Sequence, residues 1–251
     1  MRLSSLNIVP SKEAAAAIPP GKVLINTINA HSFNVAQKDA AFAEALSHGD
    51  YLLPDGASIV MACRWLKHAV SHPVERVAGW DLFEMEMQRL NERGGRCMFM
   101  GSSEAVLAKI KERASSVYPC IEVTTYSPPY KAEFSAADNA AIISAINEAS
   151  PDLLWIGMTA PKQEKWAFQH WEELHINCHV GTIGAVFDFF AGTARRAPRW
   201  WQEHSLEWLY RLCLEPGRMW RRYVVGNPLF IMHIVKEMIQ GNNKQQEEQE
   251  K

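Results

Sequence analysis

No Gly-x-Gly-x-x-Gly follows a strand candidate in this 251-residue chain, and no Gly-x-x-x-x-Gly-Lys-Ser/Thr occurs. Those absences remove the dinucleotide fingerprint and the P-loop. There is no Asp-x-Asp pair and no His/Cys cluster at metal-ligand spacing. A chain without such an acidic pair has to meet pyrophosphate charge with arginines or helix dipoles. The candidates are Arg76 and the later Arg218, Arg221 and Arg222. Cysteine is sparse: five residues, at 63, 97, 120, 178 and 213, with no Cys-x-x-Cys. An odd, scattered set fits free thiols in a reducing compartment better than a disulfide framework. A large charge excess is also missing. The net charge of −2 argues against nucleic acid as a partner. No basic segment followed by an apolar run opens the chain, and the late stretch "PLFIMHIV" is too short to span a bilayer. The expectation is a cytoplasmic protein, with the membrane surface left open.

What is present is alternation. "KVLINTIN" (22–29), "YLLP" (51–54), "RCMFMGS" (96–102), "IEVTTYS" (121–127), "DLLWIGM" (152–158) and "NCHVGTIG" (177–184) read as strands. Several are apolar at consecutive positions, as strands covered on both faces are. Helix patterns over about 33–47, 57–69, 80–93, 103–117, 135–149 and 161–173 separate them. Ser102 and Ser103 supply an N-cap for the fourth, and Ser135 or Asp138 for the fifth. This order predicts an α/β body with a Rossmann-like parallel sheet and crossover helices over 1–192. From 193 to about 240 the chain reads as helix only, an Arg/Trp-rich appendage, and 241–251 reads as a disordered polar tail. Residues 193–223 hold seven arginines, three acids and six Trp or Tyr. That composition suits packing on the body, and it also suits a membrane surface with anionic lipid. Deletion from 193 onward is expected to leave a folded body with little activity.

Ligands of an open α/β sheet sit beyond the carboxyl ends of the strands. Those ends carry Thr27 and Asn29, then Asp55, then Gly101 and Ser102 at a helix start, then Gln163, and then Gly181 and Gly184. Glycine and polar residues therefore cluster at one end of strand after strand, which points to a nucleotide or phosphate ligand. Pro54-Asp55-Gly56 is ordinary turn chemistry. Asp55 at a strand end can also serve as a base that takes a proton. Thr27 and Asn29 can satisfy local backbone groups or hold substrate hydroxyls, and Arg76 can pair with Glu75 or Asp81 or bind phosphate.

Six ordered blocks, "TINAHSFNVAQKD", "LLPDGASIV", "ERVAGWDL", "PDLLWIGMTAPKQEKW", "GAVFDFFAGTARRAPRWW" and "LEWLYRLCLEPGRMWRRY", resemble the WecG/TagA/CpsF glycosyltransferases, family 26. The resemblance runs from about Lys22 to Tyr223. It implies a GT-E-like fold and inverting, metal-independent transfer of a sugar from a UDP-sugar to a polyprenyl-diphosphate-linked glycolipid. The setting would be surface polysaccharide synthesis at the inner face of the cell membrane. The family pattern places the catalytic base on Asp55. Substrate contacts fall on Thr27, Asn29, Arg76 and Gln163, and diphosphate contacts within Arg218, Arg221 and Arg222. No cofactor or metal is implied, and a homo-oligomer stays open. Two positions depart from the family: Ser58 stands where a second glycine is frequent, and "SPPYKAEF" replaces the frequent Gly-Tyr-Phe. The alternatives are a non-catalytic membrane-surface scaffold and a nucleotide-binding oxidoreductase. The second would need a glycine-rich first turn that "TINAHS" does not have.

Overall fold

The computed structural model describes residues 1–198, 200, 201, 204 and 206–249, apart from the side chains of 218 and 242–249. Six strands form one all-parallel sheet: β1 (Val23–Ile28), β2 (Tyr51–Pro54), β3 (Gly95–Gly101), β4 (Ile121–Tyr126), β5 (Leu153–Gly157) and β6 (His179–Thr182). Their order across the sheet is β2-β1-β6-β5-β3-β4. Each of the six sequence-predicted strands is present.

The strands read as apolar runs because both faces are covered. On β5, Leu153 and Trp155 enter one core cluster while Leu154 and Ile156 enter another. The helices are α1 (Lys12–Ala16), α2 (Ala30–Ala36), α3 (Ala40–Ser47), α4 (Ala57–Trp65), α5 (Gly79–Arg93) and α6 (Glu104–Val117). They continue with α7 (Ala136–Ala149), α8 (Lys162–Gln169) and α9 (Gly184–Ala191). The first face is covered by α5, α6 and α9, and the second by α7 and α8. A third cluster joins Ile28 and Leu52 to α2, α4 and the C-terminal helix.

Two boundaries differ from the sequence reading. The single helix expected over 33–47 is two helices, because Asp39 accepts a 3.0 Å bond from Phe42 N and starts α3 afresh. Gly184–Ala191 is a further helix, where an unbroken apolar run offered no helical periodicity to read. Ser103, not Ser102, caps α6, with its hydroxyl accepting from Val106 N, and Ser135 caps α7 in a reciprocal pair with Asp138.

After Gly192 the described residues hold helices and no strand, as expected: α10 (Glu207–Leu214), α11 (Pro216–Trp220), a π turn over Arg221–Val225, and α12 (Gly226–Gln249). The backbone of α12 runs into the polar stretch expected to be a disordered tail, and 250 and 251 lie outside the described residues. α12 is fastened to the body. Phe230 meets Phe33 edge-on at 5.4 Å between ring centroids, and Ile234 is fully buried. Asn34 Nδ2 donates to Gly226 O at 2.7 Å. The buried Glu237 carboxylate accepts from Leu3 N at 3.0 Å and Ser4 N at 2.8 Å.

Candidate active site

The site is built where β1 and β2 end side by side. In register, Thr27 lies opposite Leu53 and Ile28 opposite Pro54. Asp55 N donates to Ile28 O at 2.8 Å, and Val77 N donates to Pro54 O at 3.1 Å. The Pro-Asp-Gly stretch is thus a strand-to-helix turn, locked to β1 on one side and to the segment before α5 on the other. Gly56 leads directly into α4, and a Cβ placed on it would sit 3.6 Å from Asn29 Cβ, an ordinary contact. The two loops therefore touch. Ser58 lies in the first turn of α4, half-buried beside Gly56.

Asn29 is the N-cap of α2. Its Oδ1 accepts from His31 N and Ser32 N, both at 3.0 Å, while Ser32 Oγ accepts from Asn29 N at 2.8 Å. The cap uses the side-chain oxygen and leaves the amide NH2 out of it. Thr27 is half-buried one residue before the strand ends.

Arg76 stands one residue before Val77, so its side chain starts beside the end of β2. Its ionic partner is neither Glu75 nor Asp81. Nη1 lies 3.0 Å from Glu207 Oε2 on α10, in a pair about four-fifths shielded from solvent. Glu75 instead accepts from Lys12 N, and Asp81 accepts from Ala78 N and pairs with Lys12 Nζ. Burial works against the Arg76 charge, but Glu207, Asp55 and Asp81 outweigh it and hold the guanidinium protonated more firmly than usual.

Asp55 sits inside this charge set. Burial pushes its carboxyl pKa above the ordinary value. Arg76 opposes that rise, Glu207 adds to it, and Arg222 and Arg211 oppose it. The neighbouring His31 imidazole is held low by burial and by Arg222. The appendage therefore contributes Glu207, Arg211 and Arg222 to a site whose acid comes from the body. Glu207 and Arg211 were not singled out from sequence. The one available signal was an acid standing in an otherwise basic, aromatic segment. Of the two expected diphosphate arginines whose side chains are described, Arg222 acts on Asp55. Arg221 is exposed, and the Arg218 side chain lies outside the described residues.

The remaining predicted residues come from β3 and β6 and from the segments that follow β3, β5 and β6. Gln163 is buried, accepting from Gly184 N at 3.1 Å and donating to Glu164 Oε1 at 2.9 Å. It ties the loop after β5 to the start of α9. A Cβ on Gly184 would collide with Met158 O and come within 2.8 Å of Gln163 Oε1, so this close approach requires glycine. Gly101 and Ser102 have positive φ angles of 124° and 57°, and Ser102 N donates to Gly157 O at 3.0 Å. They end β3, four strand spacings from β2, roughly 19 Å away at about 4.8 Å each. No single sugar ring reaches both Asp55 and Ser102. Gly181 is buried in the core, with the Trp155 ring lying where its side chain would be.

Among the described residues no three His, Cys, Asp or Glu side chains gather as a metal-ligand set. The segment that departs from the family at "SPPYKAEF" is pinned over the end of the sheet. Lys162 Nζ donates to Lys131 O at 2.6 Å and sits 3.5 Å from the centre of the Phe134 ring.

Comparison with known proteins identifies the family. The profile of the glycosyl transferase WecG/TagA/CpsF family matches residues 5–244. An N-acetylglucosaminyldiphosphoundecaprenol N-acetyl-beta-D-mannosaminyltransferase of Bacillus subtilis (strain 168) is 30% identical over 214 residues, covering 85% of this chain and 79% of that protein. Its counterpart in Bacillus spizizenii (strain ATCC 23059 / NRRL B-14472 / W23) is 30% identical over 202 residues, covering 80% and 74%.

Proposed function

The chain belongs to the WecG/TagA/CpsF family and is a glycosyltransferase, and from that premise we propose that it moves a sugar from a UDP-sugar to a polyprenyl-diphosphate-linked sugar, with inversion and without a metal ion. The product enters a bacterial surface polysaccharide. The two Bacillus relatives are named for acting on a lipid-diphosphate-linked sugar, which supports that acceptor class.

The observation that carries the reading is the charge set around Asp55. As the acceptor hydroxyl oxygen attacks the anomeric carbon, Asp55 takes its proton. The bond from that carbon to the diphosphate oxygen breaks on the opposite face, and UDP leaves with the electron pair. Its added negative charge falls to Arg76, Arg211 and Arg222, which need transfer no proton. Burial suits the acid to this task, because a carboxylate with raised proton affinity is the stronger base. Thr27 near the end of β1 and the Asn29 amide just beyond it adjoin this turn, where sugar hydroxyls would be held.

No described helix is long and apolar enough to cross a membrane. The outer side of the C-terminal segment exposes Trp220, Val225, Ile231, Met232, Val235 and Ile239. That surface, with Arg221 and Lys236 near it, supports docking on the inner membrane face where the acceptor resides. The test of the reaction is Asp55→Asn, assayed with a panel of UDP-sugars and a short polyprenyl-diphosphate acceptor. Turnover is expected to fall by about 10²–10⁴-fold with UDP binding retained. Wild-type turnover in that variant refutes the assignment, and abolition of wild-type activity by excess chelator refutes the metal-free mechanism.

A further inference from the structure

Arg76 faces two carboxylates and is hydrogen-bonded to one of them. Its guanidinium bonds Glu207 at 3.0 Å, while Asp55 feels Arg76 only as a nearby charge. The base would otherwise be the natural partner, since both groups sit at the end of β2. We propose that Glu207 is a positioning residue that draws Arg76 off Asp55, so that the carboxylate stays open to the acceptor hydroxyl while the guanidinium stays beside the leaving diphosphate. The proposal rests on the reading of Asp55 as the base.

Three observations support it. The Arg76–Glu207 pair spans the body and the appendage, so the same contact seats α10 over the site. Glu207 has 19% of its side chain exposed, so the pair is only weakly screened by solvent. Among the described residues, the charged groups that act on Asp55 are Arg76 from the segment before α5, Glu207 and Arg211 from α10, and Arg222 from the π turn. Glu207 is the one anion among them. Removing it takes away a charge that raises the proton affinity of Asp55, and it also releases Arg76 to lower that affinity further. Both effects have the same sign.

The experiment is the pH profile of kcat/KM for wild type, Glu207→Gln, Glu207→Asp and Asp55→Asn, with each fold checked by thermal unfolding. Glu207→Gln is expected to move the acidic limb to lower pH by about one unit and to lower plateau turnover by at least about tenfold. Glu207→Asp, which keeps the charge with a shorter reach, is expected to fall between the two, and it carries the test if the Gln variant does not fold. A merely structural ion pair would lower the unfolding temperature and leave the limb in place, and that result overturns the proposal. If Asp55→Asn is inactive while the Glu207 variants keep the wild-type limb, the positioning role alone fails. If Asp55→Asn retains turnover, the base assignment fails, and the role proposed for Glu207 fails with it.

Discussion

Gly181→Ala separates a packing glycine from a ligand-contacting one. Gly181 lies in β6 with Trp155 as its register partner on β5, and the indole lies across the position a side chain would occupy. An added Cβ would collide with Trp155 Cζ3, fall 2.7 Å from Cε3 and stand 3.5 Å from Leu82 Cδ2. The ring has little room to yield. It is 1% exposed, sits 5.5 Å from the Phe83 ring between centroids, and donates through Nε1 to Met87 Sδ at 3.4 Å. Forcing a methyl into such a core costs about 1–3 kcal/mol. The smaller conformational freedom of alanine in the unfolded chain returns about 0.4–1 kcal/mol, so overpacking wins. At roughly 2–4 °C per kcal/mol for a chain of this size, Tm should fall by a few degrees. Thermal unfolding followed by circular dichroism, paired with donor KM, measures both effects. A variant that unfolds at the wild-type temperature but has a much higher KM would refute the packing argument and return Gly181 to the ligand cleft.

The Glu164 carboxyl is raised to about 7 by burial, with only Gln163 and its own backbone N–H opposing the rise. Its folded pKa exceeds its unfolded one, so the stability it contributes is complete below about pH 4.5 and is lost as pH rises through about 7, on the order of 3 kcal/mol. Glu164→Gln should therefore be more stable than wild type in urea at pH 8, with the gap closing by pH 4.5, and a gap that does not change with pH contradicts this. Asn29→Ala should cost about 1 kcal/mol of stability through the lost cap, whereas Asn29→Asp should keep the cap and still lose activity through a second carboxylate near Asp55. Equal stability loss in the two variants would discount the cap. Truncation after Val225 removes Phe230 and Ile234 from the core, about 1.5–3 kcal/mol each, and leaves Leu3 N and Ser4 N without their acceptor. Urea unfolding should show a much weakened body, and a wild-type midpoint would restore the picture of a separable appendage.

The sheet was legible because a strand buried on both faces leaves a consecutive apolar run such as "LLWIG", and no partner strand need be known to see it. The starts of α6 and α7 were legible because Ser103 and Ser135 act on backbone groups three residues away. The turn at Asp55 was legible for a similar reason, since Pro54 and Gly56 mark it. What escaped depends on residues far apart in the chain. Arg76 and Glu207 are 131 positions apart, and nothing near Arg76 in sequence favours that partner over Glu75 or Asp81. The indole above Gly181 was not legible either, because a glycine near a strand's end reads the same whether a ligand or a ring fills the space above it. The separation of body and appendage at 193 followed a real change from alternating strands to helix. It could not show that Glu237 is the acceptor for the first turn of the chain.

That last contact is one of several that seat α12. Arg222 belongs to the π turn, and the turn ends where Gly226 begins α12. The Gly226 carbonyl accepts from Asn34, Phe230 meets Phe33, and Glu237 holds the N-terminal backbone. Three contacts along one helix thus set where the π turn lies, and none of them touches Asp55. α2, which supplies Asn34 and Phe33, is the helix that Asn29 caps. The same short helix therefore joins the end of β1 to the seat of the appendage. The π turn that carries Arg222 runs into α12 without an intervening loop. The outer side of α12 carries the exposed Ile231, Val235 and Ile239.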